Sequence, residues 1–203
     1  MKTQLYFVSK YLIMLLVLIR FAEEARSEDR LFPVSVSVLN QSWGFPFSEF
    51  ARVSPLYPGL TAGIYRLRHD KLFSFPQSAH AGYYYNNNSG SAFFLYGDQS
   101  IRFAPRCGFY IDIALGLGYF HGFHAGENYS RNSENRYEKI TDWGKPGMML
   151  SLSQTIGLDL SRKFGIPLAP FIKNQWIFST PYFDMVIPVK PGILSHIGTL
   201  IYF

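Results

Sequence analysis

The sequence predicts an all-β protein, a closed antiparallel up-and-down transmembrane barrel of about eight strands that follows a cleaved N-terminal leader. Three observations carry that expectation. The 203 residues are 48% apolar and 18% aromatic but only 16% charged, where a soluble domain is roughly a quarter charged. Beyond the N-terminus the apolar residues form no long run and instead alternate with small or polar ones, as strands with one apolar face do. The stretches joining these segments also sort by length, long alternating with short.

The leader comes first in the chain. Lys2 and Lys10 form a positive start, Tyr11 to Ile19 an apolar stretch, and Ala25-Arg26-Ser27 places small residues at both positions that a signal peptidase reads,. Cleavage after Ser27 is expected, dividing the chain into a signal peptide (1–27) and a barrel domain (28–203). A membrane-spanning helix needs about 20 apolar residues, and Arg20, Glu23 and Glu24 end this run sooner. Removing the leader lowers the formal charge from +5 to +3 and leaves no basic cluster, so no nucleic-acid partner is expected.

Eight segments of strand length follow. Leu31 to Leu39 alternates valine with serine. Tyr57 to Arg68, Leu72 to Tyr85 and Ser91 to Ala104 are of mixed quality, with Pro76 and Gln77 disturbing the third. Phe109 to His121 is the clearest: Phe109, Ile111, Ile113, Leu115, Leu117 and Tyr119 share one face, with Tyr110, Asp112, Ala114, Gly116, Gly118 and Phe120 on the other. Glycines and an aspartate would underfill a sandwich core, but they suit a narrow polar lumen whose bulky outer face meets lipid. Met148 to Leu160 repeats the pattern, broken on its apolar face only by Gln154. Ala169 to Phe178 carries Asn174 on its expected lipid face, and Ile193 to Phe203 is interrupted there by Ser195 and Thr199. Tyr65, Tyr83, Tyr85, Tyr119, Trp176 and Tyr202 fall toward strand ends, where aromatic girdles belong.

The connections Asn40 to Leu56, Gly122 to Gly147 and Ser179 to Gly192 are long, and Asn86 to Gly90 is the short exception in that set. His69 to Lys71, Pro105 to Gly108 and Ser161 to Leu168 are the shorter turns between them. Long extracellular loops and short periplasmic turns give this alternation. Cys107, the lone cysteine, sits in the Pro105 to Gly108 turn. It excludes an internal disulfide and any cysteine-cluster metal site, and no cofactor is expected.

A terminal Phe203 preceded by alternate apolar residues resembles the C-terminal signature that the barrel-assembly machinery reads in outer-membrane barrels. The chain as a whole resembles the small outer-membrane β-barrel proteins of Gram-negative bacteria. A narrower likeness, to a Bacteroidetes-type group, rests on Pro55-Leu56-Tyr57-Pro58-Gly59-Leu60, Phe94-Leu95-Tyr96-Gly97 and Leu115-Gly116-Leu117-Gly118-Tyr119-Phe120-His121. The resemblance covers most of residues 31 to 203. It implies the outer membrane as location and its lipid as partner, and it implies no reaction.

Folding the segments by parity points His80, Asp98, Arg102, Asp112, Asp159, Lys173, Gln175 and His196 inward, beside Tyr96 and Ser100. Arg102 and Lys173 are the cations available to Asp98, Asp112 and Asp159, because charges in a dry lumen must pair. The expected role is a structural network filling the lumen. An acyl-modifying enzyme of the serine type is the alternative. Against it, no histidine is followed two residues later by serine, and Ser195 and His196 point to opposite faces,. The polar stretch 122–147 is the candidate surface for a ligand, since loops on a rigid scaffold are where binding concentrates.

Overall fold

The computed structural model describes residues 30–42, 56–68, 72–88, 90–125, 128–131, 137–141, 143–180 and 189–203. The predicted leader, the Asn40 to Leu56 loop beyond Ser42 and up to Pro55, and most of the Ser179 to Gly192 loop lie outside the described residues. No described helix is long and apolar enough to cross a membrane, which says nothing about crossing by strands.

The strands in chain order are β1 (Arg30–Leu31), β2 (Val34–Ser42), β3 (Pro58–Arg68), β4 (Phe73–Ser74), β5 (Gln77–Tyr84), β6 (Ala92–Phe103), β7 (Phe109–Gly122), β8 (Asn128–Arg131), β9 (Tyr137–Ile140), β10 (Lys145–Leu158), β11 (Leu168–Thr180) and β12 (Lys190–Ile201). Prolines account for two interruptions. Pro33 separates β1 from β2 and Pro76 separates β4 from β5, where a residue without an N–H cannot hold the ladder. β4 and β5 pair with β6 in one common register, so they are one barrel strand with a break at Phe75–Pro76.

All pairings between successive barrel strands are antiparallel, and β12 pairs back onto β2. The sheet therefore closes, with eight strand positions around the wall. Following cross-strand partners from Ile201 through Val34, Gly97 and Leu150 leads once around to Pro191, ten residues away on the same strand. A stagger of that size tilts the strands by roughly 35–45° and leaves an interior that side chains fill.

Burial alternates strictly along β6 and across most of β7 and β10. Ile113, Leu115 and Leu117 are exposed on the outside, while Asp112, Ala114 and Gly116 face in. The lumen fits its contents by pairing each large ring with a glycine on the next strand. His80 lies opposite Gly63, Phe94 opposite Gly82, Tyr96 opposite Gly118 and Tyr110 opposite Gly157. A Cβ on Gly118 would come within 2.2 Å of the Leu95 carbonyl oxygen, whereas one on the outward Gly97 would meet nothing nearer than 3.6 Å. We expect Gly118→Ala to destabilise the barrel by about 1–3 kcal/mol through overpacking, and Gly97→Ala to stay within about 0.5 kcal/mol of the parent. Urea midpoints in detergent measure both.

The connections contain more structure than the sequence suggested. The 122–147 stretch is not only a loop, because β8 and β9 form a separate hairpin within it and β10 extends up to Lys145. The predicted Ser161 to Leu168 turn begins as a short helix, α1 (Leu160–Phe164). Asp159 caps it by accepting from the Ser161 N–H, and Gly165 closes it in the left-handed region at φ 68°,. Cys107 is exposed in the β6–β7 turn, where Gly108 has φ 89°.

Three aromatic assignments are corrected. Tyr65, expected in a girdle, points inward and is buried, packed edge-on against His80. Tyr202 is half-buried against the inner cluster. Trp176 and Ile193 hold outward positions by parity yet are buried, only 2% and 4% exposed. Tyr83, Tyr85 and Tyr119 are exposed on the outside as expected.

Candidate functional site

Strand parity brings the predicted inward residues together in the lumen, and all eight are buried. They do not form one cluster. Near the short-turn end, β6 and β7 place Arg102 opposite Asp112. The guanidinium donates twice to the carboxylate, Nε to Oδ1 at 2.7 Å and Nη2 to Oδ2 at 2.6 Å, the fork geometry that makes such pairs strong. The Arg102 Cζ also lies 4.3 Å from the Tyr110 ring centroid. Around this pair pack Tyr65, Leu67, Ala104, Phe171 and Leu200.

The second polar group occupies mid-lumen. Lys173 on β11 reaches Asp98 on β6 at 3.5 Å and donates to the Tyr96 hydroxyl at 3.1 Å. Tyr96 stacks on His80 with ring centroids 4.9 Å apart, and its hydroxyl lies 3.4 Å from Gln175 Oε1. His196 meets Gln175 Oε1 through Nε2 at 3.1 Å and Ser37 through Nδ1 at 3.3 Å. One chain of contacts thus links five strands across the lumen. Asp159 stands apart from both groups, and its described role is to cap α1. Sequence reading put Tyr110 on the inner face of its segment and set Ser37 opposite the valines of the first, but gave neither of them, nor Ser78, a part in the lumen network.

Ser78, His80 and Asp98 meet here, and a serine, a histidine and an aspartate invite a catalytic reading. The geometry opposes it. Ser78 donates its proton directly to Asp98, and His80 Nε2 faces both Ser78 Oγ at 3.0 Å and Asp98 Oδ2 at 3.6 Å. The serine hydroxyl proton is spent on the carboxylate, so the histidine nitrogen serves it as donor. A nucleophile requires the reverse polarity. All three residues are also buried, out of reach of a lipid ester on the outer wall. Among the described residues no group of acidic, histidine or cysteine side chains is placed to hold a metal ion.

Both sides of the polar middle are closed by apolar side chains. Leu39, Tyr84, Phe94, Phe120, Met149, Ile177 and Leu194 fill the half toward the long loops, and the cluster around Tyr110 fills the other. Fold and lumen together define a closed eight-stranded antiparallel β-barrel whose interior is packed with side chains.

Structures of known proteins are similar to it. Neisserial surface protein A is 10% identical with a TM-score of 0.47, over 87% of this chain and 98% of that one. The N-terminal β-barrel domain of Pseudomonas aeruginosa OprF is 10% identical with a TM-score of 0.38, over 84% and 97%. The β domain of the Bordetella autotransporter BrkA is 10% identical with a TM-score of 0.35, over 87% and 100%. No protein-family model and no curated protein matches the chain.

Proposed function

We propose that this chain is a small outer-membrane β-barrel of a Gram-negative, Bacteroidetes-type bacterium, exported through residues 1–27, and that it serves as a non-conducting scaffold with a surface-interaction role. The observation that carries this reading is the inversion of sidedness: the outer wall is apolar and exposed, while charged side chains are buried in the lumen. Ile64, Leu95, Ile113, Leu115, Leu117 and Ile172 are all at least half exposed, while Asp98, Arg102, Asp112 and Lys173 are under a tenth exposed. A water-soluble barrel would reverse that arrangement.

The height of the wall supports the same reading. Phe109 and Tyr119, both exposed, bracket the apolar face of β7. Ten steps of about 3.3 Å, tilted by roughly 40°, give a rise of about 25 Å, the thickness of the apolar band in outer-membrane barrels. Exposed Phe32, Phe73, Phe75 and Phe103 border the wall at the short-turn end, and Tyr83, Tyr85 and Tyr119 border the other. The long-loop end then faces outward from the cell, with the β8–β9 hairpin in the 122–147 segment presented to a surface ligand. Outer-membrane lipid surrounds the wall, and the assembly machinery reads β12 and the residues through Phe203. The two apolar layers in the lumen favour a scaffold over a pore.

The test is expression of the full precursor in a Gram-negative host, followed by gel electrophoresis of the outer-membrane fraction with and without heating. A closed barrel remains folded in detergent until heated and migrates differently, so a heat-dependent shift in that fraction is expected. Periplasmic protein without the shift would sink the membrane reading.

A further inference from the structure

Three polar residues interrupt the apolar faces of three different strands: Gln154 on β10, Asn174 on β11 and Ser195 on β12. In the closed sheet they are direct cross-strand partners, Gln154 with Asn174 and Asn174 with Ser195, and Ser195 in turn partners Asn40 on β2. The interruptions therefore form one polar stripe across four adjacent strands. Gln154 and Ser195 are exposed, and Asn174 and Asn40 half-buried. The stripe's outward neighbours further around the wall, Ile113 and Ile101, are apolar and exposed.

The stripe differs from the other outward polar pair. Gln77 donates to Gln99 at 3.2 Å, and Gln99 donates to the Pro76 carbonyl at 3.0 Å, so those amides satisfy one another. In the stripe only Asn40 has a partner, accepting from the Tyr57 N–H at 2.7 Å. Gln154, Asn174 and Ser195 make no side-chain hydrogen bond among the described residues, and the Asn174 Oδ1 is buried without one. Partners around the wall rise with the strand tilt, which places Gln154 and Asn174 near mid-height and Asn40 close to the long-loop end,. Acyl chains offer such groups nothing to bond.

We propose that this stripe is the docking face for a second copy of the chain within the bilayer; the inference rests on the membrane reading above. The residues are uncharged, and each carries both a donor and an acceptor, so the stripe complements itself and calls for no oppositely charged partner. A two-fold axis along the membrane normal brings the same patch of both copies together. Two inclined stripes then cross at one height, and Ser195, exposed beside the half-buried Asn174, is the residue placed to meet its counterpart. Hydrogen bonds of this kind supply association between transmembrane segments where hydrophobic burial cannot.

The experiment uses the full-length barrel with Cys107→Ser, carrying either Ser195→Cys or Leu95→Cys, reconstituted in phosphatidylcholine vesicles and treated with a short bis-maleimide. Leu95 is exposed on the opposite wall. The Ser195→Cys protein is expected to cross-link to a covalent dimer about tenfold more than the Leu95→Cys protein. Adding Gln154→Leu and Asn174→Leu should remove that advantage while unheated gel migration still reports a folded barrel. Equal yields from both walls, or an undiminished yield in the leucine variant, would overturn the docking face. A membrane-impermeant maleimide on the same vesicles separates the two readings: rapid labelling at both positions means the wall faces water, and the membrane reading falls with the proposal.

Discussion

Replacing Arg102 with methionine is expected to destabilise the barrel by about 3–5 kcal/mol, because it strands a buried carboxylate. Asp112 is 4% exposed and draws both of its cationic hydrogen bonds from that one guanidinium. Methionine keeps much of the apolar stem but also gives up the guanidinium that lies 4.3 Å from the Tyr110 ring centroid, so a lost cation–π contact adds to the cost. The double variant Arg102→Met/Asp112→Leu should recover most of the loss, since exchanging a whole buried pair for apolar groups is often close to neutral. Urea unfolding in detergent, followed by the heat-sensitive gel shift, measures both. Equal losses in the single and double variants would mean that the pair matters through shape and not through charge.

Placing arginine at Leu115 is the second large effect. Leu115 lies midway along β7 and is 59% exposed. If the wall faces acyl chains, Leu115→Arg should raise the free energy of the folded, inserted state by about 2–4 kcal/mol, the cost of a cation near the bilayer midplane on a barrel. On a wall facing water the same change should fall within about 0.5 kcal/mol. Folding equilibria in phosphatidylcholine vesicles read the difference directly, and a neutral result would contradict the membrane assignment.

The wall was the legible part of this protein. A period of two is a local property, so Phe109 to His121 announced both of its faces without reference to any other strand. Strand parity likewise sent His80, Asp98, Arg102, Asp112, Lys173, Gln175 and His196 inward, where they are buried. Their grouping was not legible, because it depends on the stagger of the sheet. Arg102 pairs with Asp112, and Lys173 with Asp98, only because residues 10 and 75 positions apart come to share a level. Asp159 carries the same charge and is also buried, but one residue beyond β10 it turns to the first N–H groups of a helix. Tyr65 misled for a related reason: nearness to a strand end suggests a girdle, and only the register with β5 shows its ring turned toward His80. Gln154, Asn174 and Ser195 looked like separate blemishes because nothing in the linear chain sets them side by side.

The matching of rings to glycines also governs which pairings the chain can accept while it folds. A slip of one residue between strands turns every side chain to the wrong face and is rejected for that reason. A slip of two preserves the faces, so sidedness alone cannot detect it. Between β5 and β6, however, a two-residue slip removes Gly82 from its place opposite Phe94 and sets His80 or Tyr84 there, depending on direction. Two rings would then claim a space built for one. The lumen therefore acts as a gauge for strand alignment, and the smallest residues in the wall do the checking.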